Sequence, residues 1–184
     1  MLSDEERAAI GAGRIDEDRA LTPLSIAVLT VSDRRGIDED TAGDLLAERI
    51  AAAGHRLHGR HLLRPRIAAI RAAVLDWAGQ GVQVVIISGG TGLGPADVTI
   101  EAVEPLFDKV IDGFSAVFHR VSYDSIGLST LQSRAVAGLM GRVLIFCLPG
   151  SPGGCRDGWD KVIRWQIDSR YRPCNLVSLT TEGH

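Results

Sequence analysis

The sequence predicts an α/β fold, a three-layer αβα sandwich with a mostly parallel central sheet and a small antiparallel addition. Three observations carry this. The apolar stretches "SIAVLTVS" at 25–32, "VQVVIIS" at 82–88 and "VLIFCL" at 143–148 lack the polar alternation of a half-solvated strand, and so read as strands buried on both faces. Segments with apolar residues at helical spacing alternate with strands, which places a parallel sheet between helices. Each of the three stretches ends in a polar or glycine-rich loop, where an open α/β sheet binds its ligands.

The 184 residues suffice for one domain with a substantial core. Residues 1–22, charged and punctuated by glycine, are expected to form an arm outside a domain spanning 23–184, ordered only by lying on a neighbour or else frayed. After the first strand and the polar loop "DRRGIDED", "TAGDLLAERIAAAG" places Leu45, Leu46, Arg49, Ile50 and Ala53 at helical spacing, with Thr41 as cap and Gly54 as stop. A weaker strand is expected over 57–63. A helix over 66–79 follows, with Ile67, Ile70, Val74 and Trp77 on one stripe. The "RAVAGLMGRVLIFCLPG" stretch reads as two extended segments joined near Met140 and Gly141, a hairpin that supplies the antiparallel addition, and a last helix is expected over 153–169. No internal repeat is present.

Composition narrows the partners. Hydrophobic residues make up 45% and charged ones 23%, as in ordinary globular proteins, and the formal net charge is −3. The largest basic cluster, 56–66, is broken by Gly59 and Pro65 and has no aromatic side chain on which bases stack, so nucleic acid is not an expected partner. Cys147, Cys155 and Cys174 are odd in number and lack CxxC spacing, which suggests a reducing compartment. The acidic start carries no signal-peptide stretch, and no segment approaches the roughly 20 apolar residues of a membrane span. A cytoplasmic protein without a membrane partner is expected.

If the three principal strands are parallel, the loops "TVSDRR", "SGGTGLGPAD" and "LPGSPGG" share one cleft. Gly89, Gly90 and Gly92 allow backbone conformations that turn amides into a concave anion site, for which phosphate is the natural occupant. A tight turn without ligand is the alternative for the glycine pair alone; the Thr91 hydroxyl and the closing Asp97 favour binding. The lysine of a Walker loop is missing, since the chain has only Lys109 and Lys161, and the dinucleotide fingerprint is absent from the first strand-to-helix turn. Charge on a nucleotide must then be offset by arginine or a metal. Asp97 and Glu101, four apart, share a face if a helix starts at Val98 or Thr99 and together can hold Mg²⁺, although helix capping explains both equally simply. Arg134, beside Ser133, can clamp a phosphate, while a structural ion pair is the commoner fate of such an arginine. His55, His58 and His61 read as surface residues rather than a metal cluster, and His119 stands alone. Cys155 near a helix start can have a lowered pKa, but no histidine partner is evident.

Set side by side, "LTVSDRRGIDEDTAG", "SGGTGLGPADVTIEAVEPLFDKVIDGF", "SIGLSTLQSRAVAG", "LIFCLPGSPGGCRDGWDKVI" and "RPCNL" resemble the MoaB/MogA molybdopterin-binding family, and its MoaB branch more closely. The resemblance spans about residues 25–176. It implies a role in molybdenum cofactor biosynthesis: active members transfer AMP from Mg-ATP to the terminal phosphate of molybdopterin and release pyrophosphate. Residue by residue, Gly89, Gly90, Thr91 and Gly92 match the nucleotide phosphate loop, with Ser32 and Asp33 in the loop after the first strand. Asp97 matches the essential acidic residue, and Glu101 a position that is usually acidic. Pro149, Gly150 and Ser151 match the turn associated with the pterin, to which Ser133 and Arg134 are added. The MoaB-like "STLQSRAVAG" favours a homohexamer over a trimer. One departure stands out, because active transferases resemble each other in a second acidic residue after the second strand, where this chain has Pro65 and Arg66. A non-catalytic molybdopterin or precursor carrier is therefore the alternative to a molybdopterin adenylyltransferase.

Overall fold

The apolar runs form the middle of a six-stranded sheet in a computed structural model that describes residues 3, 6, 7, 10–34 and 36–181. In chain order its strands and helices are β1 (Arg14–Ile15), β2 (Ser25–Val31), α1 (Thr41–Ala52), β3 (Arg56–Leu63), α2 (Ile67–Gly79), β4 (Val84–Ser88), α3 (Thr99–Val103), β5 (Lys109–Val110), α4 (Asp112–Ile126), β6 (Val136–Met140) and β7 (Val143–Leu148). Then α5 (Pro152–Gly158) passes through a π-helical turn at Trp159–Ile163 into α6 (Arg164–Gln166), and β8 (Tyr171–Arg172) follows. The sheet order is β3-β2-β4-β7-β6-β5, parallel from β3 to β7 and antiparallel at β6 and β5. This is the expected mixed sheet with its small antiparallel addition.

Successive side chains of a strand point to opposite faces, and both faces here are covered. Ile26, Val28, Val84, Ile86, Leu144, Phe146 and Leu148 pack with α1, α4 and α5 residues such as Leu46, Phe118 and Cys155 on one side. Ala27, Leu29, Val85, Ile87, Ile145 and Cys147 pack with Ile70, Val74 and Trp77 of α2 and with Val103 of α3 on the other. That two-sided burial is why the central runs carry no polar alternation. Edge strand β3 is mostly exposed or half-buried, which accounts for its weaker apolar signal.

Several boundaries depart from expectation for identifiable reasons. The α1 cap is Asp40, whose Oδ1 accepts from the Gly43 amide at 2.9 Å, rather than Thr41, which is the first helical residue. Helix α4 is not among the expected elements, although Phe114, Val117, Phe118 and Val121 recur at helical spacing; Phe114, Phe118 and Ser122 are buried, Val121 packs on the core and Val117 is exposed. The β6–β7 hairpin turns at Gly141, whose φ is 58°. The last helical stretch ends at Gln166, short of the expected 169. His55, expected at the surface, is buried: its Nδ1 accepts from the Leu24 amide at 3.2 Å, and burial lowers its pKa. His58 and His61 are exposed, and the ring of His61 lies 4.8 Å from that of Trp77. In the expected arm, Arg14 and Ile15 pair antiparallel with Arg172 and Tyr171, and Ile10 is buried; its residues 1, 2, 4, 5, 8 and 9 lie outside the described residues. No helix among the described residues is long and apolar enough to cross a membrane.

Candidate functional site

Because β2, β4 and β7 run parallel, the segments that follow them leave the sheet at one edge. There they enclose a cleft of about 420 Å³. Residues 30–34 line it from the first loop, Gly89, Gly90, Thr91, Gly92, Ala96 and Asp97 from the second, and Pro149, Gly150 and Ser151 from the third, with Pro65 and Ser133 also on its wall. Of the site residues matched to the family, all but Glu101 and Arg134 line it. A second cavity of about 370 Å³, walled by apolar side chains such as Phe114, Phe146 and Trp165, shares no residue with the cleft.

Glycine is required where the second and third loops meet the first strand. Gly89 has φ 88°, and a Cβ there would run into the Val31 carbonyl oxygen; a Cβ on Gly150 would stand 2.9 Å from the Gly89 Cα. The loops therefore touch backbone to backbone. The Gly89 amide is spent on the Leu148 carbonyl at 3.0 Å, so it continues the ladder instead of facing a ligand. The amides of Gly90, Thr91 and Gly92, like those of Leu93 and Ala96, donate to no described residue, and Gly90, Thr91 and Gly92 line the cleft. Thr99 secures the turn from below, its Oγ1 donating to the Gly89 carbonyl at 2.7 Å and its amide to the Gly90 carbonyl at 2.9 Å.

Asp97 neither caps α3 nor pairs with Glu101. Its Oδ2 accepts from the Gly94 amide at 2.9 Å, closing the loop on itself, and Val98 precedes the first helical residue. Glu101 instead takes the Arg134 guanidinium in a fork, 2.6 Å from Nη1 and 3.2 Å from Nη2. The same guanidinium donates through Nε to the Thr91 and Gly92 carbonyls at 3.0 and 3.1 Å, and through Nη2 to the Asp97 carbonyl at 3.3 Å. Arg134 is thus a strut behind the glycine loop. The hydrogen bonds of the pair hold Glu101 below its ordinary value and raise Arg134 above its own.

This leaves Asp97 as the carboxylate of the glycine loop on the cleft wall, with Asp33 across from it in the first loop. Among the described residues no group of three or more His, Cys, Asp or Glu side chains could hold a metal ion. Mg²⁺ needs only one or two carboxylates when phosphate oxygens and water complete its shell. The residues present fit a metal that arrives with its nucleotide, and do not fit a resident all-protein cage.

Ser151 caps α5, accepting from the Gly154 amide at 3.1 Å. Cys155, one turn on, is fully buried, and burial pushes its thiol up to about 12, against the lowering expected at a helix start. Its Sγ donates to the Pro149 carbonyl, a packing role. Ser133 is held by His119, whose Nδ1 and Nε2 lie 2.7 and 3.0 Å from the Ser115 and Ser133 carbonyls. At the rim, Arg64 donates to the Asp33 carbonyl, and Arg34 is 91% exposed. Sequence reasoning missed Thr30 and Asp40. The only local trace of Asp40 was an aspartate directly before a helix start, a capping signal.

Residues 27–169 match the model of a family described as "Probable molybdopterin binding domain". The chain is 49% identical over 155 residues, 84% of it and 91% of the relative, to molybdenum cofactor biosynthesis protein B of Escherichia coli strain K12. Among solved structures, a crystal structure of molybdenum cofactor biosynthesis protein B superposes with a TM-score of 0.78 at 38% identity, covering 81% of this chain and 94% of that one. The tungsten cofactor synthesizing protein MoaB from Pyrococcus furiosus gives a TM-score of 0.69 at 34% identity, covering 76% and 89%.

Proposed function

This chain belongs to the MoaB/MogA molybdopterin-binding family, on its MoaB side, and from that premise we propose that its cleft takes molybdopterin and Mg-ATP and transfers AMP to the terminal phosphate of the pterin. Molybdopterin binding within molybdenum cofactor biosynthesis follows from the family; the transfer is the finer reading. The observation that carries it is the convergence of three loops on one cleft with unspent amides on one wall and a carboxylate beside them.

In this reading the amides of Gly90, Thr91 and Gly92 receive the nucleotide phosphates in a backbone cradle. Asp97 holds the Mg²⁺ that comes with ATP, and Glu101 and Arg134 act through the loop they brace. Pro149, Gly150, Ser151 and Ser133 face the pterin, with Ser32 and Asp33 closing the wall between the two ligands. An oxygen of the pterin phosphate attacks the α-phosphorus of ATP and forms a P–O bond. The bond from that phosphorus to the bridging oxygen breaks in line, and its electron pair leaves on pyrophosphate. The protein's part is positioning and charge neutralisation.

The second reading, a molybdopterin carrier without turnover, is favoured by Pro65 on the cleft wall and by exposed Arg66, where active transferases carry an acidic residue. Release of pyrophosphate by purified protein with ATP, Mg²⁺ and molybdopterin separates the two. Transfer requires turnover that Asp97→Asn reduces at least about a hundredfold, the scale of losing one preorganised charge contact; tight pterin binding without pyrophosphate leaves the carrier. We further propose a cytoplasmic protein that engages neither nucleic acid nor membrane, and a homohexamer, the last supported by the exposed apolar side chains Tyr123, Ile126, Leu128 and Leu131 at the end of α4 and just beyond.

A further inference from the structure

We infer that Asp40 is a positioning residue of the cleft, acting through Thr30 and Ser88 to hold the first loop and the glycine loop in one arrangement. The inference rests on the ligand site proposed above.

Asp40 is 1% exposed, and both its oxygens are engaged. Oδ1 accepts from the Gly43 amide at 2.9 Å; Oδ2 accepts from Thr30 Oγ1 at 2.7 Å and from Arg60 Nη2 at 3.1 Å. Arg60, reaching in from β3, is tied on its other side to Asp44 at 2.6 Å. Thr30 Oγ1 also lies 3.3 Å from Ser88 Oγ. A carboxylate only accepts, so the single Thr30 proton is committed to Asp40, and in its contact with Thr30 the Ser88 hydroxyl is the donor, its proton shared with a hydrogen bond to Cys155. The chain of hydrogen bonds therefore has one direction, from Ser88 through Thr30 to Asp40.

The three residues occupy particular places. Thr30 lies on the cleft wall near the end of β2, two residues before Ser32. Ser88 ends β4, directly before Gly89. Asp40 closes the first loop at its far end and caps α1. One buried carboxylate thus fastens both ends of the first loop to each other and to the root of the glycine loop. The tolerance there is small, since Gly89 passes so close to the Val31 carbonyl that no Cβ fits between them. A cap alone needs only the Gly43 contact. The Thr30–Asp40 and Thr30–Ser88 links, spanning 10 and 58 residues of sequence, go beyond what capping α1 requires and tie the two loops to each other.

Thr30→Val tests this, because it keeps the volume and β-branching of the strand residue and leaves Asp40 its Gly43 and Arg60 partners. Two quantities are measured: amide hydrogen exchange at residues 32–39 and 89–92, and the Kd for Mg-ATP by calorimetry. Expected are exchange about tenfold faster at both loops and a Kd about tenfold higher, the scale of one lost buried hydrogen bond, with core amides of β4 accelerated no more than the fall in global stability accounts for. Thr30→Ser, which restores the hydroxyl, should return both to within about twofold. Should Thr30→Val fail to fold, Ser88→Ala removes the donor at the other end and must loosen the same two loops. Unchanged exchange in the variants, or no rescue by Thr30→Ser, overturns the inference. Loosened loops in a protein whose unaltered form binds neither Mg-ATP nor molybdopterin leave the coupling standing and remove the ligand reading instead.

Discussion

His55 shows how one side chain's surroundings set a measurable property. Burial lowers its pKa, Asp168 opposes that and Arg170 adds to it, so the unfolded chain binds a proton at a pH where the native protein does not. Stability should therefore fall as pH drops through and below about 6.5, the ordinary histidine value, because protonation there favours the unfolded state. His55→Asn keeps an acceptor for the Leu24 amide and should flatten that part of the profile. Urea midpoints between pH 7.5 and 5 check it, and equal slopes in the two proteins would exclude His55 as the source. Gly89 sets a second residue-scale limit. At φ 88° with the Val31 carbonyl where a Cβ would stand, Gly89→Ala should cost at least about 1–3 kcal/mol and weaken any cleft ligand. Stability within about 0.5 kcal/mol of the unaltered protein would show that the turn relaxes freely. The need for glycine here was legible in "SGG"; the identity of the atom that enforces it was not, since Val31 lies 58 residues away.

At the scale of elements, the strands were read well and the supports of the loops poorly. Two-sided burial writes itself into β2, β4 and β7 as unbroken apolar runs. Helix α4 carries the helical signal as well, with Phe114, Val117, Phe118 and Val121 at i, i+3, i+4 and i+7, and was nonetheless not among the expected elements. Glu101 was placed on a face with Asp97 by spacing, yet its carboxylate turns to Arg134, 33 residues on, because a bidentate guanidinium is a better partner than another carboxylate. That pair couples α3, the glycine loop and the segment before β6. Arg134→Lys keeps the charge and loses the fork, and five distinct hydrogen bonds cannot be made by one ammonium. Mg-ATP binding should weaken about tenfold. A Kd unchanged within twofold would mean that Glu101 and the carbonyls do not need the guanidinium to hold the loop.

For the molecule as a whole, the apolar side chains that the fold leaves outside are as informative as those inside. Leu128 and Leu131 are 71% and 72% exposed, beyond the end of α4 and shortly before cleft residue Ser133. Buried in a homohexamer they would each contribute about 1.5–3 kcal/mol, and charges there would be desolvated without partners. Leu128→Glu combined with Leu131→Glu should therefore shift the light-scattering mass from hexamer toward smaller species while the circular dichroism of the fold persists. A hexamer unaffected by the double substitution would place the interface elsewhere.

The sequence by itself determined the central strands β2, β4 and β7, the helices α1 and α2, the loops in which chemistry could reside and the glycines that let those loops approach one another, because each of these is written in local composition and spacing. Tertiary structure alone decided which polar groups the cleft keeps for a ligand. The Gly89 amide went to Leu148, Arg134 to Glu101 and three carbonyls, and Thr30 to Asp40, while the amides of Gly90, Thr91 and Gly92 were left over. The physical reason is that a buried hydrogen-bonding group must find a partner wherever the fold brings one within about 3 Å. Sequence distance says nothing about which partner that will be.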